Sequence, residues 1–252
     1  MKKILIIILT LCMMLSLSAC SLLLLAGVGT ENNTQFTEIN TINKAEDISN
    51  PYEITYSSVK TYKDSIGITY AQVIVEIENI GSYDLYLDAG TCDLEDTEGN
   101  LVASRNMNAF PQVISPGEKA YYYEECILDS LAEAIELNVI PRPQIKKSTT
   151  EHITYSVSDV NITDFTYGGI RVMGRVENTT DSEGSLVHIA ITLFNEASEP
   201  IGVVYTVLTD AITPGEKVGF EAVSLSFPDE ITADSVASYT AVAYPYQFQF
   251  LD

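Results

Sequence analysis

Positive charge is scarce in this chain of 252 residues: 13 Lys and Arg face 35 Asp and Glu, for a formal charge of −22. Nucleic-acid phosphate and anionic headgroups are held by Lys and Arg that neutralise them, so a surface this acidic excludes nucleic acid as a partner. Histidine is nearly absent too. His152 and His188 are the only two, and neither stands in the Ser/His/Asp or His-x-x-x-His patterns that serve hydrolysis. Of the four cysteines, only Cys92 and Cys126 fall in the part expected to fold. Two thiols without a neighbouring histidine leave a zinc tetrahedron half empty, so no metal and no cofactor is expected. Alternation of strand and helix is also missing, against the two lobes of a transporter's solute-binding protein.

What is present starts at the N-terminus. Lys2 and Lys3 precede an apolar run from Ile4 to Leu17, and Leu17-Ser18-Ala19-Cys20 places small residues before a cysteine. That layout is a secretory signal with its cleavage site. The run resembles the lipobox of bacterial lipoproteins, and the resemblance implies a signal peptide over 1–19, cleavage between Ala19 and Cys20, and a diacylglycerol thioether on the Cys20 sulfur. The protein is then lipid-anchored on the extracytoplasmic face of the cell membrane. Two acyl chains hold firmly, because each buried methylene contributes about 0.8 kcal/mol. Leu22 to Leu25 prolong the apolar run, so Ile4 to Val28 reads alternatively as an uncleaved transmembrane anchor. Cleavage would remove two lysines and no acids, shifting the formal charge from −22 to −24. Residues 20–50 are expected to be the lipidated N-terminus and a flexible tether, since Glu31 to Asn50 is polar, rich in Asn, Thr and Glu and without sustained periodicity, which predicts disorder.

An internal repeat organises the rest. Ile54-Thr55-Tyr56-Ser57 recurs as Ile153-Thr154-Tyr155-Ser156, and Val75-Glu76-Ile77-Glu78-Asn79 meets Gly174-Arg175-Val176-Glu177-Asn178 at the same offset. Ile114-Ser115-Pro116-Gly117-Glu118-Lys119 matches Ile212-Thr213-Pro214-Gly215-Glu216-Lys217 one residue closer. A period near one hundred is a whole small domain, predicting one over 51–147 and a second over 148–252. Period-two alternation marks strands: Ala71, Val73, Val75 and Ile77 point one way, as do Ile170, Val172, Gly174 and Val176 in the second copy. Short strands bounded by turns such as Asp96-Thr97-Glu98-Gly99 and the two Pro-Gly pairs predict an all-β fold of two tandem immunoglobulin-like antiparallel β-sandwiches. The only helical expectation is a short turn over Asp129 to Ile135.

The order strand, Val-Glu-Asn or its counterpart, x-x-L-x-D or x-x-L-F-N, turn, then Ile-Ser/Thr-Pro-Gly-Glu-Lys-x-x-aromatic resembles the FxLYD group of extracellular domains in Gram-positive lipoproteins. It covers roughly Tyr52 to Phe250. Cys92-Asp93-Leu94-Glu95-Asp96 and Ile191-Thr192-Leu193-Phe194-Asn195 occupy the place of the name motif. The resemblance implies a binding or spacer module and supplies no catalytic residues.

Cys92 shares the parity of Leu94, and Cys126 that of Tyr122, so both are expected to point inward. They read either as a disulfide across the sandwich, which an extracellular compartment permits, or as two buried free thiols. Asp93, Glu95, Asp96 and Glu98 crowd the turn before Gly99 but miss the EF-hand spacing, so a solvated hairpin turn is expected. Tyr244, Tyr246, Phe248 and Phe250 form a period-two aromatic stripe, either a platform for cell-wall glycan or the inward face of the last strand. Tyr122 and its counterpart Phe220 are expected in the core, with Tyr121 and Tyr123 facing solvent. The function that follows is a non-catalytic surface lipoprotein, a binding, spacer or accessory module with a protein or cell-wall glycan partner. A secreted cell-envelope enzyme and a transporter-associated solute-binding lipoprotein are the alternatives.

Overall fold

The computed structural model describes residues 50–64, 66–128, 135–166, 168–225 and 227–246, and within them the alternating apolar segments form strands. The signal, Cys20, the tether up to residue 49, the short helix expected over Asp129 to Ile135 (except Ile135), Phe248 and Phe250 lie outside the described residues. The first copy supplies β1 (Tyr52–Lys63), β2 (Thr69–Asn79), β3 (Leu85–Glu95), β4 (Leu101–Phe110), β5 (Val113–Ile114), β6 (Lys119–Ile127) and β7 (Asn138–Lys147). The second supplies β8 (Ser156–Asp164), β9 (Ile170–Glu177), β10 (Val187–Phe194), β11 (Pro200–Leu208), β12 (Lys217–Ser224) and β13 (Ser238–Pro245). No α-helix occurs among the described residues. The protein is all-β, with antiparallel pairing throughout and an immunoglobulin-like sandwich arrangement in each copy.

The repeat holds strand by strand. β1-β2-β6 and β8-β9-β12 are neighbours in the same order, as are β4-β3-β7 and β11-β10-β13. In the first copy β4 joins the two layers, because Asn108 to Phe110 pair with β6 while Leu101 to Met107 pair with β3. The expected inward residues do fill the cores: Ala71, Val73, Val75, Ile77 and Tyr122 in one, Ile170, Val172, Val176 and Phe220 in the other.

The Glu-Asn and Pro-Gly-Glu-Lys motifs recur because they lock onto each other. Asn79 and Asn178 are both 0 % exposed. Asn79 Nδ2 donates to the carbonyls of Tyr83 and Ile114 at 2.9 and 3.0 Å, and Asn178 Nδ2 to those of Ser182 and Ile212, both at 2.8 Å. Their main-chain oxygens accept from Gly117 and Gly215 at 2.8 Å. Those glycines have φ of +82° and +76°, the left-handed geometry that a type II turn requires after proline. β6 and β12 then start at Lys119 and Lys217, as the turn assignment predicts.

The outward faces depart from expectation. Tyr121 and Tyr123 are only 6 % and 4 % exposed rather than facing solvent. With Ile74 and Phe110 they form a third apolar cluster with Ala190 and Val203 of the second copy, against which Tyr56, Phe194 and Val242 also pack. The outer face of β2 and β6 thus lies on the outer face of β10, β11 and β13. Tyr121 meets Phe194 edge-on, with centroids 6.1 Å apart, and Phe110 meets Tyr205 at 4.8 Å. This packing also buries Gln72 and Glu76, on the side of β2 opposite Ala71, Val73, Val75 and Ile77.

Candidate functional site

A cleft of about 360 Å³ opens where the copies meet, walled by Phe110, Pro111, Tyr121 and Val242 and edged by Lys119, His152, Thr154, Thr192 and Thr240. Its size falls within the usual range for small-molecule sites. Tyr121 and Lys119 come from β6, Thr192 from β10 and Thr240 and Val242 from β13, so the cleft exists only through the inter-copy contact.

Its charged groups are already matched. Glu76, on the buried outer face of β2, accepts from Lys119 Nζ at 2.5 Å and from Thr55 Oγ1 at 2.6 Å. Burial pushes its pKa up, but the hydrogen bonds from Lys119, Thr55 and Tyr121 outweigh burial and hold the carboxyl below its ordinary range. Glu76 therefore stays ionised and neutralises the cleft's lysine.

Folding brings a serine, a histidine and two acids together, which the linear sequence did not reveal. Ser115 Oγ donates to Asp84 Oδ1 at 2.8 Å and lies 3.0 Å from His152 Nδ1, while Glu118 Oε2 stands 3.5 Å from the same nitrogen. A general-base relay needs the imidazole between nucleophile and acid, one through each ring nitrogen. Here the serine proton points at Asp84, and serine and Glu118 share Nδ1, so the cluster is a polar clasp. It ties the second copy's lead-in segment to the first copy's Pro-Gly turn. The signal for it was present in Ser115 beside Pro116, but its partners lie 31 and 37 residues away.

The remaining sequence candidates separate. Cys92 and Cys126 both lie in the first core and carry free thiols. Burial pushes the Cys92 thiol up to about 11 and raises that of Cys126 as well. The turn before Gly99 is a hairpin turn, with Asp96 Oδ1 accepting from the amides of Glu98 at 2.9 Å and Asn100 at 2.8 Å. Asn195 repeats it with Ala197 and Glu199. Among the described residues no group of three His, Cys, Asp or Glu side chains is placed to hold a metal ion, and no helix is long and apolar enough to cross a membrane.

Tyr244 points opposite to the expected inward direction. Ala243 occupies the core, and Tyr244 faces outward yet is only 6 % exposed, beside Tyr86, Pro111 and Gln112 of the first copy. Its ring stacks on His188 at 5.5 Å, with Tyr246 also stacked on that imidazole at 5.5 Å. Burial lowers the His188 pKa and keeps the ring neutral. A buried Tyr244 gives no open platform for a sugar.

No protein-family model matches the chain, and no curated protein is similar to it. The fold class rests on the strand pairing and the site on its own geometry.

Proposed function

We propose that this chain is a surface lipoprotein anchored through Cys20, whose two FxLYD-like sandwiches form a non-catalytic binding or accessory module with a protein partner at the inter-copy cleft. The observation that carries this reading is the docking of one copy on the other, which fixes a polar-edged cleft whose lysine and histidine are held by internal partners. A protein partner is favoured over wall glycan because Phe110, Tyr121 and Tyr244, the rings that would stack on sugar, are packed between the copies. The reading of the anchor rests on Leu17-Ser18-Ala19-Cys20.

Two measurements test it. Cys20→Ala should abolish labelling of the full chain by a palmitate analogue in cells, and unchanged labelling refutes the anchor. A photo-crosslinking residue at Thr154 or Thr240 should trap a protein adduct, whereas one at Glu98, on the remote hairpin turn, should not. Equal trapping at all three positions refutes the cleft as the contact.

A further inference from the structure

β13 is an edge strand with one side open. It pairs with β10, and on its other side Tyr155 donates its N–H to the Ala243 carbonyl at 2.7 Å. The chain then leaves for the other layer, where Ser156 pairs with Glu177, so the place beside Ser238 to Val242 is vacated. Antiparallel strands turn alternate residues toward opposite neighbours. Ala243 turns its carbonyl away from β10, so Ala241 and Tyr239 present their N–H and C=O to the open side, with no main-chain partner among the described residues. In the first copy Pro141 of β7 faces Cys92 as Ala241 faces Ile191 here. Pro141 and Pro143 lack the N–H that an added strand needs, so that edge is blunted and the edge of β13 is not.

The open edge runs along the inter-copy cleft. Thr240, Ala241 and Val242 line that cleft, and Ser238 and Tyr239 line a second groove of about 460 Å³ against Val160 and Ile162 of β8. Thr192, the register partner of Thr240 on the cleft wall, is 4 % exposed, and its hydroxyl has no hydrogen-bonding partner among the described residues. A buried hydroxyl left unmet costs free energy that a ligand group can recover. The charge along the edge is negative, with Glu118 at one end, Glu196 and Asp234 at the other, and Lys119 held by Glu76. We infer that the partner enters as an extended peptide segment that adds a strand to β13 at Tyr239 and Ala241 and carries Lys or Arg at its ends. The inference rests on the cleft being the partner's contact. Main-chain hydrogen bonds supply the affinity of such strand addition, and alternate side chains its specificity. Thr192 lies two strand spacings, about 10 Å, from the added strand, so a long polar side chain such as Gln reaches its hydroxyl across Thr240.

The test pans the full chain, held in detergent, against a phage-displayed library of random twelve-residue peptides, and the enriched peptides, made synthetically, are the probe. Fluorescence anisotropy reads their affinity. Ala241→Pro gives β13 the blunted edge of the first copy and should weaken binding about tenfold, with a melting temperature near wild type because that N–H has no partner in the fold. Thr192→Val should weaken binding about threefold. N-methylation along the peptide should weaken binding at alternate residues only, a readout that needs no variant of the chain to fold. Failure to enrich any peptide, unchanged affinity in either variant, or tolerance of N-methyl groups in both parities overturns the proposal. Crosslinking to the natural partner separates this failure from failure of the cleft. Adducts from Thr154 and Thr240 that persist at full yield in Ala241→Pro overturn strand addition and leave the cleft standing, whereas no adduct from either position removes both.

Discussion

Replacing Asn178 with alanine isolates the clamp that both copies share. The side chain is fully buried. Its Nδ2 donates to the Ser182 and Ile212 carbonyls at 2.8 Å, and its Oδ1 accepts from the Thr180 amide at 2.9 Å and hydroxyl at 2.7 Å. Water can replace the amide at Thr180 and Ser182, which lie near the surface, at about 0.5 kcal/mol each. It cannot reach the Ile212 carbonyl, because Ile212 is 1 % exposed, and an orphaned buried acceptor costs about 1–3 kcal/mol. Loss of packing adds roughly 1 kcal/mol. The expected destabilisation is about 3–5 kcal/mol, read by urea unfolding of the full chain. Asn178→Asp should be worse than alanine at neutral pH, because it sets a buried carboxylate against two carbonyl oxygens. Asn79→Ala should behave alike, its donor bonds to Tyr83 and Ile114 being equivalent. A loss below about 1 kcal/mol for alanine, or an aspartate milder than alanine, would show that the motif is not held by these bonds.

Gly215→Val should cost about 1–3 kcal/mol from φ alone, since a Cβ there meets no atom within 4 Å. Gly215→Asn should lose less, and equal losses in thermal unfolding would discard the turn assignment. Glu125 lies at the junction among Tyr123, Gln72, Glu124 and Ser224 of the second copy, and burial raises its pKa to about 7. A carboxyl raised on folding contributes stability below its unfolded pKa and loses it as pH climbs through 7, so stability should fall by about 2–3 kcal/mol between pH 4.5 and 8. Glu125→Gln should flatten that part of the profile, and parallel curves for the two proteins would refute the assignment. Ala190→Glu puts a charge between the copies without touching either core. It should enlarge the radius of gyration in solution scattering, and an unchanged scattering curve with unchanged stability would deny the contact.

The cores were legible because they need only parity. Ala71 to Ile77 and Ile170 to Val176 alternate, and each inward side was found buried. The turns were legible because proline and glycine fix dihedrals locally. The inter-copy face was missed for a physical reason, since period two assigns a side and says nothing of what covers the other. The trace it left was the lack of clean alternation: Ala190 to Phe194 and Val203 to Tyr205 are apolar on both sides, as strands covered on both faces are, and Tyr121-Tyr122-Tyr123 is aromatic on both. Tyr244 was turned the wrong way for the same reason. The Ser115 and His152 clasp was illegible because it depends on the docking of segments far apart in sequence.

The contact between the copies uses non-equivalent faces, and such a heterologous arrangement can in principle continue indefinitely, each unit stacking on the next. The counterparts of those two faces are the outer face of β3 and β7 in the first copy and that of β9 and β12 in the second. Where the second copy presents Ala190, Phe194 and Val242, the first presents Thr91, Glu95 and Arg142, as the pairing of Ala190 with Val242 and of Thr91 with Arg142 requires. Where the first copy presents Ile74, Tyr121 and Tyr123, the second presents Met173, Gly219 and Glu221. Arg142 is bound to Asp93 on its own face at 2.7 Å, and Glu221 and Gly219 are exposed. Apolar residues thus dominate the two faces that meet, whereas their counterparts carry Glu95, Arg142 and Glu221 beside Thr91, Met173 and Gly219. Burying charge against an apolar partner is costly, so these two faces are poorly matched to the apolar pair that forms the contact between the copies.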